Sequence, residues 1–181
     1  MLAMCIHDIG NISERRTERM TNPALSQKLP AFLTPKPGLR SGYMIAQYCA
    51  AALVSENKTL CHPASVDSIP TSANQEDHVS MGGWGARKCL QVVENVERIV
   101  AIELVCACQS LDLRKLEDSS QELTTTKALQ SVKDFVRQHV PFLDEDRELR
   151  TEIETACQLL RAGKIKEICE NVEGTKWSCS K

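Results

Sequence analysis

The chain has 181 residues, of which 42% are hydrophobic and 25% charged, a composition typical of a globular domain or of one piece of a larger protein. Its net charge is −2 and no basic run alternates with aromatic residues, so we expect neither nucleic acid nor an anionic membrane as a partner. The longest apolar stretch, residues 43–54, is shorter than the roughly 20 residues that cross a bilayer.

The first predicted elements are two helices joined by a long loop. Residues 1–21 favour a helix that ends before Asn22-Pro23, because the residue ahead of a proline disfavours helical backbone. Six of the seven prolines fall in the loops 22–42 and 61–71, and long ordered loops tend to have functional or assembly roles. Residues 43–60, between these loops, are apolar on nearly every side as far as Ser55, which predicts a helix buried all round.

The longest predicted helix runs from residue 72 to about Leu113. Ser72 and Gln75 have the Ser-x-x-Gln spacing of a capping box, which predicts the helix start. Residues 99–108, IVAIELVCAC, are apolar on all faces except at Glu103, so we expect other helices to enclose the middle of this helix. Glu103 is predicted to be a buried, paired structural carboxylate, with a catalytic role as the less favoured alternative.

Three shorter helices are predicted after a polar linker. The cluster Thr124–Thr126 begins the first, which ends near Val140. Asp144–Asp146 are predicted to open an amphipathic helix that Gly163 ends, and a short helix over 165–172 precedes a frayed tail. Because no convincing strand pattern occurs, the predicted fold class is all-α, a bundle built around one long helix.

The nine cysteines favour a reducing compartment. Their number is odd, no Cys-x-x-Cys pair occurs, and most lie in apolar helical runs, whereas zinc sites use short paired spacings. No secretory segment is expected, since His7 and Asp8 interrupt the first apolar run. We therefore predict reduced, buried cysteines in a cytoplasmic protein, and no metal site.

Three polar or glycine-rich motifs have structural explanations. Acids such as Glu76 and Asp77 are stabilised in a first helical turn by up to about 1 kcal/mol, and from the residues alone this structural role is favoured. His62 and His78 lie in different segments and lack a His-x-x-x-His spacing, so no metal site is predicted from them. The run MGGWG, residues 81–85, follows no strand and is predicted to permit close helix crossing rather than to bind phosphate.

Several long stretches of the sequence carry a family resemblance. They are IGNISERR (9–16), LPAFLTPKPG (29–38), the segment 38–88 with SVDSIPTSANQEDHVSM (65–81) inside it, and ENVERIVAIELVCACQSLDLR (94–114). On these stretches, which cover most of its length, the chain resembles the C-terminal portion of the histidine ammonia-lyases, a branch of the aromatic amino acid lyase family. It departs from them at Arg40 and Tyr43, where the family usually has Asn and Phe.

The resemblance implies an enzyme that eliminates ammonia from L-histidine to give trans-urocanate. The family uses the electrophile 3,5-dihydro-5-methylidene-imidazol-4-one (MIO), made from an Ala-Ser-Gly tripeptide of its own backbone, together with a general base. It also implies that residues 1–116 are part of a central helical bundle with one wall of the active site, and that residues 117–181 are C-terminal helices. Family members are homotetramers whose active sites combine several subunits.

Within that active site, the resemblance places Glu76 near the prosthetic group and the substrate side chain. Relatives that act on phenylalanine commonly have Gln there, whereas a carboxylate suits an imidazole that donates a charge-assisted hydrogen bond. We therefore expect Glu76 to act in catalysis and in binding L-histidine, and Gln75 and His78 to line or brace the same wall.

The tripeptide that makes the electrophile is not part of this sequence. No Ala-Ser-Gly occurs in the 181 residues, so we expect a truncated lyase that has no cofactor-binding residues of its own and is inactive alone. One alternative is a non-catalytic helical subunit or interaction module that associates with itself or with full-length lyase subunits; another is an unrelated scaffold that keeps only the fold. Missing packing partners also predict exposed hydrophobic surface and self-association.

Overall fold

The computed structural model describes residues 1–117 and 125–172, and over these ranges the chain forms six α-helices and no named strand. The helices are α1 Leu2–Thr21, α2 Met44–Leu60, α3 Gly82–Glu117, α4 Lys127–Arg137, α5 Arg150–Arg161 and α6 Lys164–Asn171. The all-α fold class is therefore confirmed. None of the described helices is long and apolar enough to span a membrane.

The long helix α3 forms the centre of the molecule, and α1, α2 and α5 pack on it. Its middle is enclosed as predicted, since Ile99, Ile102 and Val105 are no more than 1% exposed. The helices α1 and α3 approach closely at Gly10, where an added Cβ would stand 2.8 Å from Cγ2 of Val96. A glycine on α1 thus sets the spacing of this helix pair.

Glu103 is the one acidic side chain in the enclosed middle of α3, and it is paired as predicted. Ser13 donates a 2.5 Å hydrogen bond to one carboxylate oxygen, and Nη2 of Arg16 donates to the same oxygen at 2.7 Å. Burial is only partial, because the Glu103 side chain keeps 18% of its surface exposed. The contacts identify a structural link between α1 and α3.

Gln109 lies deeper in the core, at the centre of a second group of polar contacts. Its Nε2 donates to the carbonyls of Leu33 (3.2 Å) and Leu143 (2.9 Å), while its Oε1 accepts from the N–H of Leu143 (3.1 Å) and from Arg137 (3.2 Å). Gln109 is fully buried, and Arg137 also pairs with Asp112 on α3. One side chain thus joins the loop before α2, the end of α4 and the loop before α5 to α3.

The prediction that α2 is buried all round is wrong. Ala46, Ala50 and Val54 face the core, but Ile45 is 59% and Tyr48 is 60% exposed. The reason is that α1 and α3, the described helices with extensive contact to α2, cover only one of its sides. The predicted exposed hydrophobic surface is accordingly present on this helix.

The predicted start of the helix at Asp144 is also wrong, because α5 begins at Arg150. Asp146 instead accepts hydrogen bonds from the backbone N–H groups of Ser41 (2.7 Å) and Gly42 (2.8 Å), just before α2. These two bonds lower the pKa of the Asp146 carboxyl. The acidic residues here connect two distant loops rather than open a helix.

Three other helix boundaries lie where the sequence predicts them, whereas α3 extends to Glu117, beyond the predicted end near Leu113, and α4 ends at Arg137, ahead of the predicted Val140. Helix α1 ends at Thr21, ahead of Asn22-Pro23, and Thr126 caps α4 by accepting from the N–H of Leu129 at 3.3 Å. Gly163 ends α5 in a left-handed conformation with φ of +69°. Thr124, most of the predicted linker and the predicted tail fall outside the described residues.

Cysteine burial follows the prediction only in part. The described cysteines are free thiols; Cys106, Cys108 and Cys157 are buried, whereas Cys5 and Cys49 are exposed. The exposed pair lies on α1 and α2, on the sides that α3 does not cover. Cys179 falls outside the described residues.

The two departures from the family pattern have different surroundings. Arg40 donates from Nη2 to Glu145 at 2.7 Å, on the surface. Tyr43 is 1% exposed, and its hydroxyl has no hydrogen-bond partner among the described residues. Burial of this phenol raises its pKa strongly. An unpaired buried hydroxyl is unfavourable, so Tyr43 costs stability that phenylalanine at this position would not.

Candidate functional site

The segment between α2 and α3, residues 62–81, contains all three predicted site residues. It is not the start of a helix as predicted, because α3 begins at Gly82. Ser72, Ala73 and Asn74 have φ of +49°, +54° and +68°, in the left-handed region, and the N–H of Gln75 bonds to the carbonyl of Ser72 rather than to its hydroxyl. The predicted capping box does not form, since its residues make a tight left-handed turn instead.

This turn places Glu76 opposite Thr71. The N–H of Thr71 donates to the carbonyl of Glu76 at 2.9 Å, and the N–H of Glu76 donates to the carbonyl of Thr71 at 3.3 Å. The Thr71 hydroxyl also donates to Oε2 of Glu76 at 2.9 Å. Glu76 and its neighbour Asp77 are therefore not stabilised by a helix start, and the Glu76 carboxylate is oriented by a local hydroxyl.

Gln75 and His78 share this exposed loop with Glu76. All three side chains are exposed, and none of them lines the main clefts of the described residues. The structure thus brings the predicted residues together along one loop but does not enclose them. Their assigned roles stay predictions at this point.

The base of the loop is attached to α1 and α3, since the Cys61 Sγ donates a weak hydrogen bond to the carbonyl of Ala3 at 3.4 Å. Lys88 is buried, and its Nζ donates to the carbonyl of His62. Higher in the loop, the N–H of Val79 donates to the Ser68 hydroxyl at 2.9 Å. An open cleft of about 330 Å³ lies at this base, between the start of α1, residues 60–65 and the first turns of α3.

His62 lines this basal cleft, whereas His78 lies in the exposed part of the loop. Among the described residues, no group of three or more His, Cys, Asp or Glu side chains could hold a metal ion.

The glycine-rich run at the start of α3 does not have the role predicted for it. It does not sit at a helix crossing: Gly85 faces Ala64 in a 3₁₀ turn, with an added Cβ 3.7 Å from the Ala64 Cβ, and Gly83 has no neighbour within 4 Å. Trp84, in the middle of the run, is 46% exposed, and the Arg87 guanidinium lies 4.9 Å from its ring centre. The glycine at a helix crossing is Gly10, which no local repeat distinguishes.

A solvent-exposed carboxylate with one oxygen already bonded to a hydroxyl can accept a further hydrogen bond from a ligand donor such as an imidazole N–H. Thr71, which orients Glu76, was missed by the sequence analysis. No local pattern indicates this contact, because the left-handed turn that makes it is built from non-glycine residues.

Comparison with known proteins identifies a family. A sequence profile described as aromatic amino acid lyase matches residues 1–138. The histidine ammonia-lyase of Natranaerobius thermophilus is 53% identical over 173 residues, which are 96% of this chain and 33% of that protein. The histidine ammonia-lyase of Deinococcus radiodurans is 57% identical over 152 residues, 84% of this chain and 28% of that protein. The chain thus spans about a third of the length of these relatives.

Solved structures give the same result. The histidine ammonia-lyase of Trypanosoma cruzi matches with a TM-score of 0.85 and 55% identity, over 93% of this chain and 32% of that one. Tyrosine aminomutase from Streptomyces globisporus has the same TM-score at 34% identity, over 94% and 32%. Phenylalanine ammonia lyase from Rhodosporidium toruloides, with 18% identity and a TM-score of 0.60, shares the fold alone.

Proposed function

The chain belongs to the aromatic amino acid lyase family, and from this premise we propose that it is the part of a histidine ammonia-lyase that supplies one wall of the active site. The proposed reaction is the elimination of ammonia from L-histidine to give trans-urocanate. The chain is 55% identical in sequence to the histidine ammonia-lyase of Trypanosoma cruzi and 34% identical to the tyrosine aminomutase of Streptomyces globisporus, over similar shares of its length. This difference supports histidine as the substrate.

The main support for the proposal is the position and orientation of the Glu76 carboxylate. Its carboxylate stands on an exposed loop, oriented through Oε2 by the Thr71 hydroxyl. An imidazole N–H of the substrate would donate to this carboxylate, and such charge-assisted bonds are roughly twice as strong as neutral ones. Gln75 and His78 flank it on the same loop and would line the same wall.

The rest of the site has to come from elsewhere. In the family, MIO supplies an electrophile that activates the substrate amine. The 181 residues contain no Ala-Ser-Gly, and Glu76 lines none of the main clefts of the described residues, so this chain neither makes that group nor encloses it. The proposal therefore requires polypeptide that contains the tripeptide, and the 181 residues alone do not deaminate histidine.

A chimera tests the role of Glu76. Residues 1–172 would replace the matching third of the Natranaerobius thermophilus enzyme, and the chimera is expected to produce urocanate, followed by its absorbance. Glu76→Gln keeps the shape and removes the charge, so we expect kcat/KM to fall about 30- to 100-fold, which corresponds to the roughly 2–3 kcal/mol of a hydrogen bond to a charged group.

Asp77→Asn is the matched control, because it removes the neighbouring charge on the same loop, and it is expected to stay within about twofold of the parent chimera. A Glu76→Gln chimera with full activity would show that Glu76 does not act in the reaction. Urocanate formed by the purified 181-residue chain would contradict the proposed inactivity of that chain.

The second candidate function is a non-catalytic subunit that associates with itself or with full-length lyase subunits. The observation that favours it is the apolar surface of α1 and α2, where Ile9, Ile12, Ile45 and Tyr48 are each more than half exposed. Co-purification with a full-length subunit, lost in an Ile45→Asp/Tyr48→Glu variant, is the expected result. A stable monomer that does not bind the subunit would contradict it.

Three further features of the proposal rest on composition and family. The free thiols suit a reducing cytoplasm, and the net charge of −2 suits neither nucleic acid nor a membrane as partner. The division into a bundle region, 1–116, and C-terminal helices, 117–181, follows the end of α3 at Glu117. A homotetramer is the assembly that the family implies, and sedimentation of the active chimera tests it.

A further inference from the structure

Helix α2 and the first turns of α3 lie side by side and run in opposite directions, with the 62–81 loop joining them. One contact is the 3.0 Å hydrogen bond from Nδ2 of Asn95 to Oδ1 of Asn57. Another is the 3.7 Å approach of Ala64 Cβ to the Cβ position of Gly85. As the chain advances from 57 to 64, its neighbours on α3 therefore run back from 95 to 85.

Two cysteines stand between these contacts. Cys61 follows Asn57 by one helical turn, and Cys89 follows Gly85 by one helical turn. The antiparallel register thus places Cys61 and Cys89 at neighbouring levels of the helix pair, while the Cys61 Sγ donates a weak hydrogen bond to the carbonyl of Ala3 on α1 at 3.4 Å. A disulfide needs Cβ atoms about 3.5–4.5 Å apart. Close to this pair, Ala64 Cβ and the Cβ position of Gly85 are 3.7 Å apart, so the two segments approach each other closely at this level.

Both thiols open onto the same space. Cys61 and Cys89 line the basal cleft of about 330 Å³, and both are half-buried. The pKa of the Cys61 thiol is raised above its usual value. The largest cause is burial, and the next two are the nearby charges of Asp8 and of ionised Cys89. By contrast, Cys106 is fully enclosed by the core and has no access to a reagent.

We propose that Cys61 and Cys89 are a redox modification site, which closes to a disulfide across the base of the loop that contains Glu76. The oxidant is a small disulfide such as oxidised glutathione. The thiolate of one cysteine attacks a glutathione sulfur, forms a mixed disulfide and releases one glutathione thiolate. The thiolate of the other cysteine then attacks the protein sulfur of this mixed disulfide and releases the second glutathione thiolate. In total, two protein thiols are oxidised and one glutathione disulfide is reduced to two thiols.

The disulfide would fix the two ends of the 62–81 loop to each other. In the reduced chain, these ends are held by the bond from Lys88 to the His62 carbonyl and by the packing of Ala64 on Gly85. A covalent link at the same place restricts opening of the loop, and we expect slower amide hydrogen exchange over residues 62–81. The inference is independent of the proposed catalytic role of Glu76.

Peptide mapping under non-reducing conditions tests the proposal. The 181-residue protein is incubated with oxidised glutathione at pH 8, its remaining thiols are blocked, and it is digested with trypsin. The expected product is a peptide 59–87 linked to a peptide 89–98, which dithiothreitol separates. Glutathione adducts without this linked peptide, or linkage of Cys61 to Cys5 in its place, would overturn the proposal.

Matched variants make the test specific. Cys89→Ala is expected to abolish the linked peptide, whereas Cys49→Ala, which removes an exposed thiol on α2, is expected to retain it. A variant with Ala64→Cys and Gly85→Cys in a Cys61→Ala/Cys89→Ala background calibrates the oxidant, because its Cβ separation is suitable. Circular dichroism checks that each variant is folded. Failure of the native pair to link overturns the proposal whatever the calibrating pair does.

Discussion

The surroundings of Gln109 and those of Glu76 show two ways in which one chain holds a polar side chain. Gln109 is fully buried, and its hydrogen bonds reach three separate segments. Glu76 is exposed, and the hydrogen bonds that it makes within the described residues all go to Thr71, in the same loop. The buried polar group is thus held by contacts between distant segments, whereas the candidate site is exposed and is held within a single loop. Stability and proposed function therefore depend on different residues.

The largest loss of stability is expected when the buried amide of Gln109 is removed. Gln109→Leu would leave the N–H and carbonyl of Leu143 and the carbonyl of Leu33 without their partner. Each unsatisfied buried group costs about 1–3 kcal/mol, so we expect the free energy of unfolding to fall by about 3–5 kcal/mol, measured by urea denaturation.

Gln158→Leu on α5 is the matched control, because this glutamine is exposed and no hydrogen bond of its side chain is found within the described residues. Its effect is expected within about 0.5 kcal/mol. A loss below about 1 kcal/mol for Gln109→Leu would mean that the buried amide is not what joins the segments.

A second test compares two glycines in helices. Gly10→Ala puts a Cβ 2.8 Å from Val96 Cγ2 and 3.3 Å from Ile99 Cδ1, whereas Gly83→Ala meets nothing within 4 Å. Overpacking costs about 1–3 kcal/mol and alanine gains about 1 kcal/mol of helix propensity, so Gly10→Ala should lose about 1 kcal/mol net and Gly83→Ala should gain up to about 1 kcal/mol. Thermal unfolding shows whether each variant is more or less stable than the parent. A stabilised Gly10→Ala variant would contradict the close contact between α1 and α3.

The third test uses pH to examine a contact between loops. The pKa of Asp146 is lowered in the folded chain by its bonds to Ser41 and Gly42, so ionised Asp146 stabilises the fold. That contribution is complete above the ordinary carboxyl pKa of about 3.9 and is lost as the pH falls through the folded value. Asp146→Asn should therefore be less stable than the parent at pH 6, and the difference should narrow below pH 4.

Urea denaturation across this pH range measures the effect. Glu145→Gln is the control, since its exposed pairing with Arg40 is expected to contribute little. A gap between Asp146→Asn and the parent that stays constant from pH 6 to pH 3 would rule out the carboxylate as the cause.

The smallest expected effect on stability belongs to the loop. Thr71→Val removes the hydroxyl that bonds to Glu76 but retains the backbone pairing of the two residues. We expect the free energy of unfolding to change by less than about 0.5 kcal/mol, because the position is exposed. Thr71→Ser, which keeps the hydroxyl, is the control. A loss above about 1 kcal/mol would show that the loop also stabilises the fold.

Helix-end signals and long apolar runs predicted structure well. The end of α1 before Asn22-Pro23, the Thr126 cap of α4 and the left-handed Gly163 all follow from local backbone chemistry. The enclosed middle of α3 follows from a run of apolar residues too wide for one helix face. The family could also be identified from the sequence, because the matching stretches are long.

Features that depend on contacts outside a recognisable local pattern could not be predicted from the sequence. The Ser-x-x-Gln spacing at Ser72 is compatible with a capping box, but the pairing of Thr71 with Glu76 draws the backbone into a turn instead. Asp146 belongs to a loop because Gly42, far away in the sequence, supplies its donor. The exposure of Tyr48 depends on which helices are present to cover α2. The roles of Glu76, Gln75 and His78 stay predictions.

The length of α3 fixes the shape of the molecule. At about 1.5 Å per residue, its 36 residues extend about 54 Å. A sphere with the radius of gyration of about 16 Å that suits a compact chain of 181 residues is only about 40 Å across. The described part of the chain is therefore elongated along one axis, and for a monomer in solution we expect anisotropic tumbling and a sedimentation rate below that of a sphere of equal mass.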